Sequence, residues 1–402
     1  MRQRTFLVSI SVALASAVLG LPTIASALSS NANPVATEHV CGAVPTGVAH
    51  CDAIVVVPAK SGPSKGHSGG SSFSGYTPTQ IVTAYGFPTS PTAGTGQTIA
   101  IVDAYNDPTA LSDLSYFSSS ENLQVLPSCS GTNAPCFSQV SQTGSSTSLP
   151  ATNAGWALEI SLDIEWAHAI APAANIVLVE ANSASFSDLL TAERYAATRA
   201  AYVSNSWGGS ESSSETSYDG AFTTPQGTTP VVSFFVAAGD SGLPAEYPSA
   251  SPNVISVGGT TLTLTSGGTI ASETGWSSGG GGCSAYETAN SNQSGFKGYG
   301  NVNCNGMRAT PDVALDADPA TGVQVYDSTR YSGKTGWWVV GGTSASTPMW
   351  AARSADTGGA VTASTVYATN STITFHDITS GGNSGGCLIG YDLCSGLGSW
   401  NG

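Results

Sequence analysis

The chain has 402 residues, 40% of them hydrophobic, enough to bury a large core and to exclude disorder throughout. Only 9% are charged, and a net charge of -15 at pH 7 argues against nucleic acid as a partner, because phosphate binding needs clustered Lys and Arg. With 48 glycines and so few charges, the surface reads as loop-rich and uncharged, as in many exported proteins.

The N-terminus supports export. Met1 to Ala27 carries Arg2 and Arg4, the apolar stretch Phe6 to Leu21 and the ending Ala25-Ser26-Ala27. That order predicts a secretory signal peptide cleaved after Ala27. No later segment is long and apolar enough to span a bilayer, so a soluble secreted protein without a membrane partner is expected. The eight cysteines fall into four local couples, Cys41 and Cys51, Cys129 and Cys136, Cys283 and Cys304, Cys387 and Cys394. In an oxidising compartment these read as four disulfides, with connectivity open. Zinc would call for C-x-x-C pairs or nearby His ligands, which are missing. Residues 28–75 are rich in Ser, Gly, Pro and Ala and read as a linker or short pro-segment, with room for one small disulfide loop.

From Tyr76 onward strands alternate with helices. Apolar runs at Thr98 to Ala104, Asn175 to Glu180, Ala201 to Trp207 and Pro230 to Ala238 read as buried strands. Ala154 to Ile170 and Phe186 to Ala200 carry helical spacing, and Ala171-Pro172 is a stop signal. The alternation predicts an α/β fold with a mostly parallel sheet and helices on both faces. Ligands then bind beyond the C-terminal strand ends, where Asp240 stands. Ser266 to Gly306, with Gly279-Gly280-Gly281-Gly282, reads as surface loops.

Two stretches carry chemistry. On the helix around Trp156 to Trp166, Glu159 and Asp163 are four residues apart and share a face. Among Ile160, Leu162 and Ile164 they cannot both ionise cheaply, so one keeps its proton to higher pH, unless the pair is merely a solvated acidic stripe. Near the other end, Trp337-Trp338-Val339-Val340 runs into Gly341-Gly342-Thr343-Ser344 and then a helix-like segment. A hydroxyl there sits at a helix N-terminus, where free N–H groups favour a developing oxyanion. The same residues would also serve as an ordinary N-cap. A serine nucleophile needs a base, yet of His39, His50, His67, His168 and His376 only His168 lies on a core helix, and it reads as packed.

These elements together resemble the sedolisins, serine-carboxyl peptidases with a subtilisin-like fold. The resemblance runs from Tyr76-Thr77-Pro78-Thr79-Gln80 through Gly398 and rests on Glu159-x-x-x-Asp163, Ala237 to Gly242 and Gly342-Thr343-Ser344, in the family's order. It implies a single catalytic domain over 76–402, with Ser344 as nucleophile, Glu159 as general base and acid, Asp163 tuning Glu159, and Asp240 as a protonated donor to the oxyanion. It further implies an endopeptidase working in acid as a monomer on peptides or unfolded proteins. Asp377-Ile378 and Gly390-Tyr391-Asp392 resemble the family's C-terminal calcium loop. One structural Ca²⁺ would take side-chain oxygens from Asp377 and Asp392 and carbonyls from Ile378 and Gly390, with Leu388 standing where the family has Gly. Two alternatives are a peptide-binding homologue without turnover, and a neutral subtilisin-type protease using Asp103 and an unidentified His. Asp312 and Asp318 read as structural.

Overall fold

The computed structural model describes Met1 and residues 36–45, 47–57, 74–130 and 135–402. The leader expected over 1–27, Met1 aside, lies outside these residues, as does His67. Among the described residues no helix is long and apolar enough to cross a membrane.

The apolar runs assemble into one sheet because each needs helices, not water, against its faces. Thr98–Ala104 pairs in parallel with Asn175–Ala181 on one side and Tyr202–Asn205 on the other. Outward from that centre lie Ser233–Ala237, Ile255–Leu264, Val313–Asp316 and Ser399–Trp400 in one direction and Phe137–Ser141 in the other, every neighbouring pair parallel. Phe375–His376 and Ile270–Gly275 add antiparallel strands, for ten in all. The α/β class and the mostly parallel sheet are as expected.

The helix Ala154–Ile170 begins where the Asn153 side chain accepts from the Gly155 and Trp156 amides, and it ends before Pro172. Every residue from Gly155 to Ile170 is buried, as befits a helix that is apolar nearly all round. It packs against the helix Thr343–Thr357 and the hairpin strand Val323–Tyr331. Phe186–Ala196 packs on strands Thr98–Ala104 and Asn175–Ala181.

Three expectations change. The run read as one strand over 201–207 breaks at Ser206: Tyr202–Asn205 stays in the sheet, while Trp207–Ser210 turns away to pair antiparallel with Glu246–Tyr247 and His50–Cys51. The stretch 266–306 is not all loop, since Ile270–Gly275 joins the sheet and Gly282–Thr288 pairs with Met307–Thr310. The tetraglycine run is there for close approach: the Gly280 amide donates to the Gly239 carbonyl at 2.6 Å, and a Cβ on Gly280 would collide with the Ala238 carbonyl.

The third change concerns 28–75. Its described part is packed rather than linker-like. Ile54–Val56 pairs antiparallel with Val340 and Gly341 on one side and with Thr37–His39 on the other, while Cys51, Ala53 and Val55 are buried. Backbone pairing supplies here what composition hides. All four cysteine couples are disulfides, Cys41–Cys51, Cys129–Cys136, Cys283–Cys304 and Cys387–Cys394.

Candidate active site

The strand Lys334–Gly341 passes into the helix Thr343–Thr357 through Gly342, whose φ of +94° suits only glycine. A Cβ there would strike the Asp52 carbonyl oxygen and lie 2.5 Å from Asp240 Oδ2. The turn delivers Ser344, fully buried, to the first turn of the helix. Its amide donates to the Asp52 carbonyl at 2.9 Å, and its hydroxyl points to the Ser206 carbonyl at 3.4 Å.

Glu159 and Asp163 face this point from the buried helix. Ser206 Oγ donates to Asp163 Oδ1 at 2.9 Å; Asp163 Oδ2 and both Glu159 oxygens have no hydrogen-bond partner among the described residues. Burial, then the charges of Asp163 and Asp103, pushes Glu159 well above the usual carboxylate range, and the nearby Ser344 hydroxyl eases that rise. Asp163 is raised by burial and drawn back by Ser206. Asp103 is fully buried, raised by burial and by Asp163 and Glu180. Three carboxyls thus share a dry pocket and cannot all be ionised.

Asp240 follows the strand Ser233–Ala237. Its Oδ1 accepts from the Thr343 amide at 2.7 Å and the Thr343 hydroxyl at 3.0 Å, while Oδ2 is buried without a partner. Burial and the Asp52 charge raise its pKa, and the Thr343 bonds lower it. A protonated Oδ2 on this side of Ser344 is a hydrogen-bond donor, where an ionised one would repel developing negative charge.

The structure therefore gathers Glu159, Asp163, Asp240 and Ser344 in one place and adds residues that sequence reasoning passed over. Ser206 and Thr343 hold the carboxyls. Beside them His50 Nδ1 lies 3.1 Å from Asp52 Oδ1 and its Nε2 3.5 Å from Glu246 Oε2. Burial works against a charge on His50, but Asp52, Glu246 and Asp240 together lift its pKa to about 10. Ligand atoms of His50, Asp52 and Glu246 lie within 4.8 Å of one another. In its protonated form His50 donates to these neighbouring carboxyls. No local signal marked these residues, because Glu246 meets His50 only through the fold.

No described histidine contacts Ser344. His168 Nε2 pairs with the Gln124 carbonyl at 2.7 Å, and burial pushes its pKa down to about 4. His376 Nδ1 lies 3.1 Å from Glu273. Asp103 has carboxylates, not a histidine, around it. Asp312 pairs with the buried Arg308, and Asp318 accepts from Thr261 and Ala320.

In the C-terminal loop Asp377 Oδ2 accepts from the Gly390 amide at 2.8 Å, leaving Oδ1 buried and unpartnered. Asp392 Oδ2 accepts from Leu388, and its Oδ1 from the amides of Cys394 and Ser395. The Cys387–Cys394 disulfide closes the loop.

Comparison with known proteins gives the following. The model of the subtilase family matches residues 151–374. Kumamolisin from Bacillus sp. (strain MN-32) is 34% identical over 366 residues, spanning 81% of this chain and 62% of its own length. Sedolisin from Pseudomonas sp. (strain 101) is 34% identical over 197 residues, 41% of this chain and 31% of its own. The chain thus spans less than two thirds of the length of these relatives. The solved structure of Pseudomonas sedolisin, a serine-carboxyl proteinase complexed with two molecules of pseudo-iodotyrostatin, superimposes with a TM-score of 0.66 at 28% identity, over 81% of this chain and 95% of that one.

Proposed function

This chain belongs to the subtilase family, on its sedolisin branch, and from that membership we propose that it is a secreted endopeptidase hydrolysing peptides and unfolded proteins in acid, as a monomer. The observation that carries the reading is the set Glu159, Asp163, Ser206 and Ser344, a nucleophile facing buried carboxyls with no histidine beside it among the described residues.

Glu159 in its ionised form takes the Ser344 proton as Oγ attacks the substrate carbonyl. Asp163, protonated and positioned by Ser206, donates to Glu159 and holds that charge in a dry site. The oxyanion is met by the Ser344 amide and by neutral Asp240, an arrangement that works only while Asp240 keeps its proton. Glu159 then protonates the leaving amine, and water resolves the acyl-enzyme through the same base. Because Asp163 and Asp240 must both stay protonated, the reaction favours low pH.

The C-terminal loop fits one structural Ca²⁺. Hard oxygen donors suit this ion, and the unpartnered Asp377 Oδ1 is a buried oxygen in need of one. Asp377 and Asp392 would supply carboxylates, and Ile378 and Gly390 carbonyls.

The test is hydrolysis of a denatured protein from about pH 2 to pH 9 by the purified protein and its Ser344→Ala variant. An acid maximum absent from the variant is expected. A maximum at neutral or alkaline pH overturns the carboxyl mechanism, and no hydrolysis at any pH by folded protein overturns the peptidase reading.

A further inference from the structure

Behind the wall that carries Asp240, carboxyls gather with no cation to pair them. The strand Trp207–Ser210 runs into Glu211, the short helical turns Glu215–Ser217 and Asp219–Ala221 follow, and Gly282–Thr288 packs on the first turn. Glu211 accepts from the Ser284 hydroxyl and, at 3.1 Å, from the Ala285 amide, so it already reaches across to that strand. Glu215 Oε2 accepts from the Ser212 amide at 2.5 Å, and Asp219 Oδ1 from the Tyr247 hydroxyl at 3.2 Å. Glu215 and Glu287 are 1% and 3% exposed, and the Oε1 of each is buried with no hydrogen-bond partner among the described residues. What each has beside it is another carboxyl, Glu211 within bonding reach of Glu215 and Asp219 within reach of Glu287. Among the described residues, ion pairs form elsewhere. Two facing carboxyls hold together only while one keeps a proton and donates it to the other.

Resting on the peptidase reading above, we propose that these pairs are proton-closed clasps that position Asp240, a shared proton joining Glu215 to Glu211 and Glu287 to Asp219 and so holding Gly282–Thr288 against the cleft wall. The link to Asp240 runs through backbone. Just before Gly282, the Gly280 amide donates to the Gly239 carbonyl at 2.6 Å and the Gly281 amide to the Gly242 carbonyl at 3.3 Å, one on each side of Asp240. A Cβ on Gly282 would lie 2.8 Å from the Ala245 nitrogen, so the strand also touches the chain leading to Tyr247. Tyr247 in turn pairs with Gly209 of the strand that ends at Glu211. Drawing the strand away at Glu287 therefore pulls on both glycine contacts that flank Asp240.

The direction with pH follows. Burial raises Glu215 to about 8 and Glu287 to about 7; the charges of Glu211 and Asp219 add to the rise, and the Ser212 amide draws Glu215 back. Asp219 is raised by burial and drawn down by Ser251, Tyr247 and Glu287. Tyr247, the remaining titratable group of the cluster, is pushed far up by burial and by these carboxyls, and stays neutral throughout. Groups raised on folding hold the structure in acid and let go as pH climbs through their folded values, here about 7 to 8. The clasps close at the pH where Asp240 has its proton and open where it would be of no use.

The test follows hydrogen exchange from about pH 5 to pH 9 in Ser344→Ala protein, which cannot digest itself, with rates corrected for the intrinsic effect of pH. In this parent the amides of residues 212–218 and 282–288 should exchange at least about tenfold faster at the top of that range than at its foot. Adding Glu215→Gln and Glu287→Gln should keep them protected, because a Gln amide donates to an ionised carboxylate at any pH. If the double variant folds poorly, Glu287→Gln alone serves for 282–288. Protection that ignores pH in the parent, or falls equally in parent and variant, overturns the clasps. With Ser344 intact, the same substitutions should move the alkaline limb of kcat up by at least about half a pH unit, with KM little changed. A limb that stays in place while exchange behaves as expected overturns the positioning of Asp240. No acid turnover by folded wild type means that the peptidase reading itself has failed, and exchange alone then decides the clasps.

Discussion

Ser206 gives its hydroxyl to Asp163 at 2.9 Å, and the carbonyl of the same residue faces the Ser344 hydroxyl at 3.4 Å. One residue therefore sets the spacing between the acid pair and the nucleophile. Ser206→Ala keeps the carbonyl and removes the hydroxyl. With that bond gone, Asp163 rises further, since the bond is what draws it down. We expect kcat to fall about two- to tenfold, in line with ~0.5–1.5 kcal/mol for a hydrogen bond to a neutral carboxyl, with KM little changed. A pH–rate profile that does not move would show that Ser206 only fills space.

Asp240 offers a sharper comparison. Asp240→Ala removes the donor and should cost about 10² to 10³ in kcat. Asp240→Asn can still donate from its amide, so it should keep most of its activity and lose part of the decline above neutrality. Equal losses in both variants would rule out the neutral-donor role.

Stability should be greatest in acid. Burial holds Glu180, Glu193, Glu246 and Asp327 up to about 8 and Asp107 up to about 6, against ordinary values near 4. A carboxyl raised on folding contributes stability that is complete below its unfolded pKa and lost as pH climbs through its folded one. The window here runs from about pH 4 to about pH 8. His50, lifted to about 10, loses its contribution in the same direction above pH 6.5. His168, pushed down to about 4, opposes the trend below pH 6.5, one group against many. Calorimetry on Ser344→Ala, which avoids self-digestion, should find Tm falling from about pH 5 to pH 8; a steady rise would contradict this.

Calcium should act on the same observable. Chelator-treated protein should regain Tm when Ca²⁺ is added back, and Asp392→Ala should abolish that gain. A Tm indifferent to Ca²⁺ in the wild type would remove the ion from the account.

Away from the site, Arg308 Nη2 meets Asp312 Oδ2 at 2.5 Å with both side chains 1% exposed, and Tyr367 donates to the same carboxylate. Arg308→Ala leaves a buried charge without its partner and should cost about 3–5 kcal/mol in chemical denaturation, whereas Arg308→Met with Asp312→Leu should cost far less.

The helix Ala154–Ile170 was legible to the residue, because Asn153 starts it and Ala171-Pro172 stops it within the reach of local rules. Glu159 and Asp163 could be paired by spacing alone, but their link to Asp240 and Ser344 came from the family resemblance, since no local rule spans such separations. His50, Asp52 and Glu246 were unreadable for a related reason: the short apolar run Ile54-Val55-Val56-Val57 was outweighed by the Ser, Gly and Pro of 28–75 as a whole, and the strands' pairing partners lie far off, near Trp207 and Val340. Gly279 to Gly282 was read as a lack of structure when it marks a place where backbones touch.

The helix that bears Glu159 and Asp163 has no solvent-facing side over its 17 residues, apart from its first. It therefore has no surface on which substitutions can accumulate at low cost, and a change made to tune the acid pair is at once a change to the core. Attempts to shift the working pH of this protein should begin outside that helix, with Ser206, which reaches Asp163, and with Thr343 and Glu246, which act on Asp240.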